Sequence, residues 1–430
     1  FIALLKAMLA GDVLNAMGYR LRPYELEAGA TDRALEAAKA DCYAALQQNK
    51  SVLVALFRAR RHFAQVKVDR LLPKPKVSVI GEFWAMTTEG DGNYHLQRFL
   101  EQEGAECTIQ LLANLLLYNL WEYRYDTKDR ARLRDADDAH YGLAGIDPEL
   151  RMAGLWFGQM LLRVAFKAFS TAVGLYGYAL ADMDELAEIA DELYDVDLRG
   201  GEGHTEVAKV IYDVKKKKSH MTVSVKPFGC MPSSGVSDGV QSAVTERYPD
   251  AIFCAVETSG DGAVNFYSRV QMVLFKARLR AQEEFEAVLA EHGVTLEQLR
   301  EELARSRFRN AFLRPPHALA GSAADLAHHL APLVGKSPVE RARIHTERAA
   351  RRAKEIATVD APKVWRKTKE IAPYVPSMLR FLALEARDMM PRLESAWKDA
   401  IEKLVPRAEA AEPAPEPVRA EGSRSLPIYA

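Results

Sequence analysis

Four short apolar runs alternate with helical segments, and this alternation constrains the fold more than any other feature of the chain. The runs lie at residues 76–81, 106–111, 221–226 and 251–256. Helical spacing follows each of them or separates them, at about 93–104, 204–214, 236–247 and 264–291. Strands that alternate with helices are joined by right-handed crossovers and form a parallel sheet covered on both faces. The sequence therefore predicts an α/β fold with flanking helices.

Changes in this pattern predict the domain boundaries. Residues 1–72 have helical spacing and begin without Met, so we expect them to continue an upstream domain. Two prolines in LPKPKVSVIGEF lead into the first strand, where an α/β domain begins at 73 and runs to 295. A long helical insertion interrupts that domain at about 112–195. The remainder is predicted to be a helical region at 296–405 and a disordered, Pro-, Ala- and Glu-rich tail at 406–430.

Composition excludes several classes of partner. Lys and Arg number 58 against 59 for Asp and Glu, so no overall field favours nucleic acid or an anionic membrane. The most apolar stretch, residues 155–180, contains Gln159, Arg163 and Lys167, which indicates a buried helix pair or one long core helix rather than a membrane span. Four scattered cysteines fit neither a disulfide scaffold nor a zinc site. We therefore expect a cytoplasmic protein without a nucleic-acid or membrane partner, and an oligomer is compatible with the sequence.

Two basic segments stand out against this balance. Between residues 343 and 370 there are nine Lys or Arg against four Asp or Glu. Trp365 is the only aromatic residue in that stretch, which indicates a solvated or interdomain helical face rather than a nucleic-acid reader. The lysines at 215–218 precede a strand, where a solvated helix end explains them, although a ligand phosphate or another domain could also face them.

The candidate site is formed by the loops that follow the strands, because open parallel sheets bind ligands beyond their carboxyl ends. Three loops rich in Gly, Ser, Thr and acidic residues run directly into helices, at 81–93, 226–239 and 257–265. Loops of this kind aim backbone N–H groups and positive helix ends at a ligand. The cofactor-binding candidates in them are Ser233, Ser234, Gly235, Ser259 and Gly260.

Cys230 is the candidate metal ligand. It follows a strand and precedes a helix, where the helix dipole and nearby amides favour the thiolate. A thiolate there could bind a metal or cluster, or act as a nucleophile with His204 or His220 as base, while a cysteine that only fills a tight turn is the structural alternative. The other thiols are interpreted as core residues: Cys42, Cys107 and Cys254.

Glu82 and Glu257 are the candidate catalytic carboxylates. Both lie at strand ends, where a buried carboxylate needs a partner. Two carboxylates can divide acid and base roles if their surroundings push their pKa values apart. Asp91, Thr258 and Asp261 lie in the same loops, and helix capping or turn formation explains them better.

A family resemblance begins in these loops. The stretch 226–278, which contains KPFGCMP, resembles the C-terminal, dehydratase-like region of the large activator proteins of the 2-hydroxyacyl-CoA dehydratase and benzoyl-CoA reductase superfamily. GEFWAMTTEGDGNYHLQRFLEQEGAE, LRGGEGHTEVAKVIYDVKKKKSHMTVSV and RLRPYELEAGATD are similar to other parts of the same proteins. The resemblance covers roughly residues 1–290, and KPFGCMP is its most specific element. Cys230 matches the cysteine of that element.

The resemblance implies a flavodoxin-like fold and an oxygen-sensitive iron–sulfur system. In such systems an ATP-hydrolysing activator drives a low-potential electron onto a [4Fe–4S] or related cluster, which then reduces an acyl-CoA thioester. A cluster takes three or four thiolates, and Cys230 is the single motif-matched cysteine here. The remaining cluster cysteines and the ATPase domains, with their ATP, are therefore expected upstream or on an activator subunit. The alternative is a non-catalytic scaffold or a CoA- or nucleotide-binding module that docks a partner subunit.

Overall fold

A computed structural model describes residues 2–136, 141–198, 203–260 and 262–383. The chain divides into two units, Phe1–Val375 and Pro376–Ala430. In the second unit the described residues, 376–383, are helical. The predicted tail at 406–430 and the last part of the predicted helical region lie outside the described residues, as does Asp261.

The described residues form one four-stranded parallel sheet. Its strands are β1 (Lys76–Gly81), β2 (Glu106–Ile109), β3 (Met221–Pro227) and β4 (Phe253–Thr258). Their order across the sheet is β2-β1-β3-β4, and every neighbouring pair is parallel. The predicted α/β fold is confirmed, and the strands begin and end within two residues of their predicted bounds.

Helices surround the sheet and precede and follow it. In chain order they are α1 (Ile2–Leu21), α2 (Ala30–Gln47), α3 (Val52–Ala64), α4 (Phe83–Thr87), α5 (Leu96–Gln102), α6 (Leu112–Ala136), α7 (Pro148–Val173), α8 (Met183–Ala190), α9 (Gly203–Lys215), α10 (Met231–Ser234), α11 (Gln241–Arg247), α12 (Ala263–His292), α13 (Leu296–Arg305), α14 (Ser322–Leu330), α15 (Pro338–Glu355) and α16 (Ala361–Ile371).

The two faces of the sheet are covered by different helices. On one face, Leu96 and Leu100 of α5 pack with Phe266 and Val270 of α12 against the apolar side chains of the strands. On the other face, α9 and α11 cover Ile80. The helices that follow β1 and those that precede β3 therefore lie on opposite faces of the sheet. Strands β1 and β3 are neighbours in the sheet, although β2 lies between them in the sequence.

The helical insertion between β2 and β3 shares a core with the first three helices. Val13 of α1, Leu56 of α3, Leu117 of α6 and Phe166 of α7 are all buried in this core. The apolar stretch 155–180 is one long helix for most of its length, because residues 155–173 belong to α7 and the rest follow its end. Asp147 caps the start of α7 by accepting hydrogen bonds from two backbone N–H groups. The first helices and the insertion thus fold against each other.

One described segment, Ile2–Tyr24, is long and apolar enough to cross a membrane by length and composition alone. Most residues of its second half, from Leu9 to Leu21, are buried against neighbouring helices. The core helix of a soluble protein and a signal sequence both pass the same test, and 44% of the most apolar part of this segment is buried.

Candidate functional site

The three predicted loops begin at the same edge of the sheet. Gly81 of β1 is paired with Val225 of β3, and Lys226 of β3 is paired with Glu257 of β4. The crossover from β1 to β2 and the crossover from β2 to β3 pass over opposite faces of the sheet. The carboxyl ends of β1 and β3 therefore form the switch point at which doubly wound sheets bind ligands. The structure therefore brings Glu82, Cys230 and Glu257 to one edge, at the ends of three adjacent strands.

Glu82 caps a helix. Its carboxylate Oε2 accepts a hydrogen bond of 2.8 Å from the backbone N–H of Ala85, in the first turn of α4. Its own N–H donates to the carbonyl of Val225 across the switch point, at 2.9 Å. This predicted catalytic carboxylate is thus held at its place by the local fold.

Glu257 faces a buried lysine that the sequence analysis did not single out. The ammonium of Lys226 lies 3.4 Å from Oε1 of Glu257, and the lysine side chain is 1% exposed. A buried ammonium needs a nearby carboxylate, so the pair supports the end of β3 and β4. The sequence signal that could have identified this buried charge is the lysine at the end of the apolar run MTVSVK.

Cys230 is partly exposed and begins α10 as its N-cap residue. Its N–H donates to the carbonyl of Pro227 at 3.2 Å. The neighbouring side chains of Phe228 and Met231 are 77% and 83% exposed, so an apolar surface flanks the thiol. The helical path continues from α10 through a π-helical segment, Gly235–Val240, into α11.

The other three cysteines are buried, and burial raises the pKa of each thiol. The pKa rises to about 11 for Cys42 and Cys254, and burial holds the pKa of Cys107 well above its ordinary value. Protonated core thiols do not bind metals. Within the described part of the chain, Cys230 is therefore the single thiol suited to a cluster, and three or four are needed. These residues by themselves do not fit a self-contained iron–sulfur site.

The predicted cofactor-binding residues have different surroundings. The Ser233 hydroxyl is buried and donates to Oε1 of Glu206 at 2.6 Å, while Ser224 donates to Oε2 of the same carboxylate at 3.2 Å. Ser259 exchanges hydrogen bonds with the hydroxyl of Tyr94 through its backbone carbonyl and N–H. Ser234, Gly235 and Gly260 are at least partly exposed at the same edge. Ser233 is thus turned inward, toward a buried carboxylate.

The two histidines considered as bases are placed differently. His220 lies just before β3, where its Nδ1 accepts from the N–H of Lys76 and its Nε2 lies 3.0 Å from Glu284. The length of β3, about 20 Å, separates it from Cys230. The ring of His204 is fully buried beside Tyr118 and Trp121, with centroids 5.7 and 5.0 Å apart. Because the length of β3 separates His220 from Cys230, His220 cannot serve Cys230 as a base.

A cavity of about 320 Å³ lies beside the edge strand β2, and we call it the α1–β2 slot. One face of α1 forms its first wall, with Asp12, Asn15, Ala16, Tyr19 and Arg20 at helical spacing. The other lining residues are Trp84, Thr87, Thr88, Glu89, Glu106, Cys107, Thr108, Ile109, Gln110, Leu111, Leu112, Tyr178 and Arg314. The loop after β1 therefore reaches this slot as well as the switch point.

One end of the slot is basic. Arg20 is 7% exposed, and its Nη1 makes a long hydrogen bond of 3.4 Å to the carbonyl of Tyr176. Its Nη2 is buried and has no hydrogen-bond partner among the described residues. Burial, followed by the charges of Arg314 and Arg70, holds the pKa of Arg20 well below its ordinary value. Glu106, the carboxylate whose charge opposes this shift, already pairs with Arg314 at 3.0 Å.

The other end is acidic. The buried carboxylate of Asp12 accepts hydrogen bonds from the N–H groups of Leu112 and Ala113, at 3.0 and 2.8 Å, and so caps α6. Burial raises the pKa of Asp12 to about 6, although these two hydrogen bonds oppose the rise. Eight residues of helix separate Asp12 from Arg20, which is about 12 Å. The slot is therefore an elongated cavity with opposite charges at its ends.

A group of three potential metal ligands lies elsewhere. Ligand atoms of Glu291, His292 and His328 are all within 4.8 Å of one another. Glu291 and His292 end α12, whose 30 residues begin at the carboxyl edge of the sheet. That length places them on the order of 40 Å from the switch point. They belong to neither the slot nor the loops.

Comparison with protein-family models, with curated proteins and with solved structures finds no match to this chain. The family resemblance therefore stays a prediction.

Proposed function

We propose that the chain is a binding module whose α1–β2 slot holds a small organic acid, with the acid group at Arg20. The observation that carries this proposal is that Nη2 of Arg20, a residue that lines the cavity, is buried and has no hydrogen-bond partner among the described residues. An unpaired buried charge is costly, and a ligand carboxylate or phosphate would supply two charge-assisted hydrogen bonds. The proposal is a version of the binding-module alternative predicted from the sequence.

The shape of the slot limits its ligand. A volume of about 320 Å³ is at the lower end of the range for ligand sites, so we propose a molecule smaller than CoA or a dinucleotide. Its far end would meet Asp12 and should carry a donor such as an ammonium or hydroxyl group. Ile109, Leu111 and Leu112 favour an apolar middle. An amino acid or hydroxy acid with an apolar side chain has this chemistry.

The variant Arg20→Met tests the role of Arg20. We expect its free energy of unfolding to equal or exceed that of the wild type, because the substitution removes a buried charge that two other arginines repel. In a thermal-shift screen with amino and hydroxy acids, a ligand at 100 times its Kd should stabilise the wild type by about 2.7 kcal/mol. Arg20→Met should lose this shift.

Arg61→Met is the matched control, because Arg61 lies on α3 with its side chain 66% exposed. It should keep the ligand-induced shift. If no acid stabilises the wild type, or if Arg20→Met is as stabilised as the wild type, the slot does not bind through Arg20. A large loss of stability in unliganded Arg20→Met would instead give Arg20 a purely structural role.

A second candidate function follows from Cys230. We propose it as the dehydratase-like part of a cytoplasmic activator protein, in ATP-driven low-potential electron transfer to an iron–sulfur cluster that acts on acyl-CoA-type substrates. The specific support is the partly exposed thiol between exposed Phe228 and Met231. An exposed apolar surface suits a partner, and the upstream ATPase domains or an activator subunit would have to supply the remaining thiols.

Iron binding tests this second candidate. The chain extended by its upstream sequence, reconstituted anaerobically with iron and sulfide, should hold a cluster visible by EPR and iron analysis. Cys230→Ala should lose most of that iron, and Cys254→Ala, which changes a buried core thiol, should retain it. Equal iron contents in the two variants, or none in the wild type, would contradict the cluster proposal.

A further inference from the structure

The basic segment of the sequence faces a groove. No residue of α15, which carries the first part of that segment, is buried. One side of α15 closes a groove of about 740 Å³ against α13, α14 and the short helical turn Arg307–Arg309. We call it the arginine groove, and its charged and histidine residues are Arg305, Arg307, Arg341, Arg348, Arg351, Arg352, Glu302, Glu355, His317, His328, His329 and His345.

Both carboxylates that line the groove already form ion pairs with arginines of the groove. Glu302 makes a two-pronged ion pair with Arg341, with both N–O distances 2.6 Å. Glu355 pairs with Arg352 at 2.7 Å. Arg307, Arg348 and Arg351 have no carboxylate within ion-pair distance in the part of the chain that the structure describes. The guanidinium groups of Arg307 and Arg351 thus remain available, while that of Arg348 donates hydrogen bonds to Nε2 and the carbonyl oxygen of His329, at 3.3 and 2.9 Å.

The positive charges of the groove affect the pKa of His329, which lies in its lining. Its ring packs edge-on against Phe308, with centroids 4.9 Å apart, and its Nε2 accepts from Nη1 of Arg348 at 3.3 Å. Burial, and then the positive charges of Arg348, Arg307, His345 and His328, lower the pKa of His329 to about 4. The imidazole is therefore neutral at pH 7 inside a positive groove. An anion in the groove would reverse part of this effect.

We infer that the arginine groove binds an oligophosphate, either free or carried on a nucleotide. Arginine forms paired hydrogen bonds to phosphate oxygens, and three guanidinium groups without a carboxylate partner among the described residues exceed what one carboxylate needs. The volume suits a ligand of nucleotide size. Single-stranded nucleic acid is less favoured because the ring that lines the groove, Phe308, is 4% exposed and offers no stacking platform. The groove shares no lining residue with the α1–β2 slot, so this inference is independent of the proposed function.

Calorimetric titration with pyrophosphate and with ADP tests the inference. Both should bind the wild type, more weakly at higher salt because exposed charges are screened. A tighter Kd for ADP would identify a nucleotide as the source of the phosphates, and equal values would identify a free phosphate chain. The double variant Arg307→Ala/Arg351→Ala should weaken binding at least tenfold, and it should fold because both side chains are exposed.

Arg343→Ala is the matched control. Arg343 lies on α15 outside the groove lining, with its side chain 81% exposed, and pairs with Glu347. It should change the Kd by less than twofold. Binding of neither ligand, an unchanged Kd in the double variant, or tight binding of a single-stranded oligonucleotide alone would overturn the inference.

An NMR titration of His329 gives a second readout. Saturating pyrophosphate should raise its pKa by about one unit, because an anion favours the protonated imidazole. The double variant should show a raised pKa without any ligand and little further change on addition of pyrophosphate. A pKa that pyrophosphate leaves unchanged in the wild type would place the phosphates outside the groove.

Discussion

Replacing Glu106 with glutamine is expected to lower the free energy of unfolding by about 3 kcal/mol at pH 7, because a buried ion pair loses one partner. The carboxylate is 2% exposed, accepts a hydrogen bond of 2.8 Å from the Tyr24 hydroxyl and pairs with Arg314 at 3.0 Å. The charges of Arg314 and Arg70 lie close enough to Arg20 to lower its pKa further, after the effect of burial. Glutamine leaves these cations without their shared carboxylate. Urea denaturation of both proteins measures the loss.

The difference in stability between the wild type and Glu106→Gln should depend on pH. Burial would raise the pKa of Glu106, but Arg314 and Lys76 lower it to about 2, below the value of 4.5 for a free glutamate. A carboxyl whose folded-state pKa is depressed stabilises the fold above its unfolded pKa and loses that contribution as pH falls. The difference between wild type and Glu106→Gln should therefore be full at pH 6 and shrink between about pH 4.5 and 2.

Glu27→Gln is the control for Glu106. Glu27 pairs with Arg33 on the surface, and its side chain is 78% exposed. Exposed pairs contribute at most about 1 kcal/mol, so this variant should be close to the wild type at every pH. A loss at Glu106 no larger than the loss at Glu27, or one that does not change with pH, would show that the buried cations do not depend on Glu106.

The sheet could be predicted because each strand is a short apolar run with turn residues at its ends. Three of the six residues of KVSVIG are Val or Ile, as expected for a strand covered on both faces, and such runs differ from the helices around them. The predicted start of β2 at Glu106 was correct and its predicted end lay two residues beyond Ile109, whereas β4 begins and ends two residues later than predicted. The order of the strands needed the structure, since composition does not say which strands are neighbours.

The candidate site was only partly predictable. That Glu82, Cys230 and Glu257 share one edge follows from parallel topology alone. That Ser233 turns inward does not, because its partner Glu206 lies on α9, which must first cross the opposite face of the sheet. The local sequence shows that Ser233 lies in a loop, but it does not show that the crossover places the carboxylate of Glu206 next to it.

The α1–β2 slot was missed although its signal was present. Asp12 and Arg20 interrupt an otherwise apolar helix on one face, which the sequence analysis treated only as a helix. Polar residues on the buried side of a helix indicate a partner or a ligand. Their meaning depended on Arg314, which lies almost 300 residues further along the chain and which no spacing rule connects to them.

Gly81→Ala is expected to lower the free energy of unfolding by about 3 kcal/mol or more, because strain and overlap add at this position. Gly81 has φ +120, a conformation that residues with a Cβ rarely adopt. An added Cβ would lie 2.1 Å from the carbonyl oxygen of Val225 and 2.6 Å from its nitrogen. These are backbone atoms of the central strand β3, so they cannot rotate away.

Gly104→Ala separates the two causes. Gly104 also has a positive φ, +85, but nothing lies within 4 Å of the position of its Cβ, so about 1 kcal/mol of backbone strain is expected there. Because Gly81 leads directly into Glu82 and α4, its substitution should also displace Thr87 and Thr88 from the slot and weaken ligand binding, whereas Gly104→Ala should not. Equal losses of stability at the two positions, measured by urea denaturation, would mean that the close approach of β1 to β3 is not what requires glycine at the switch point.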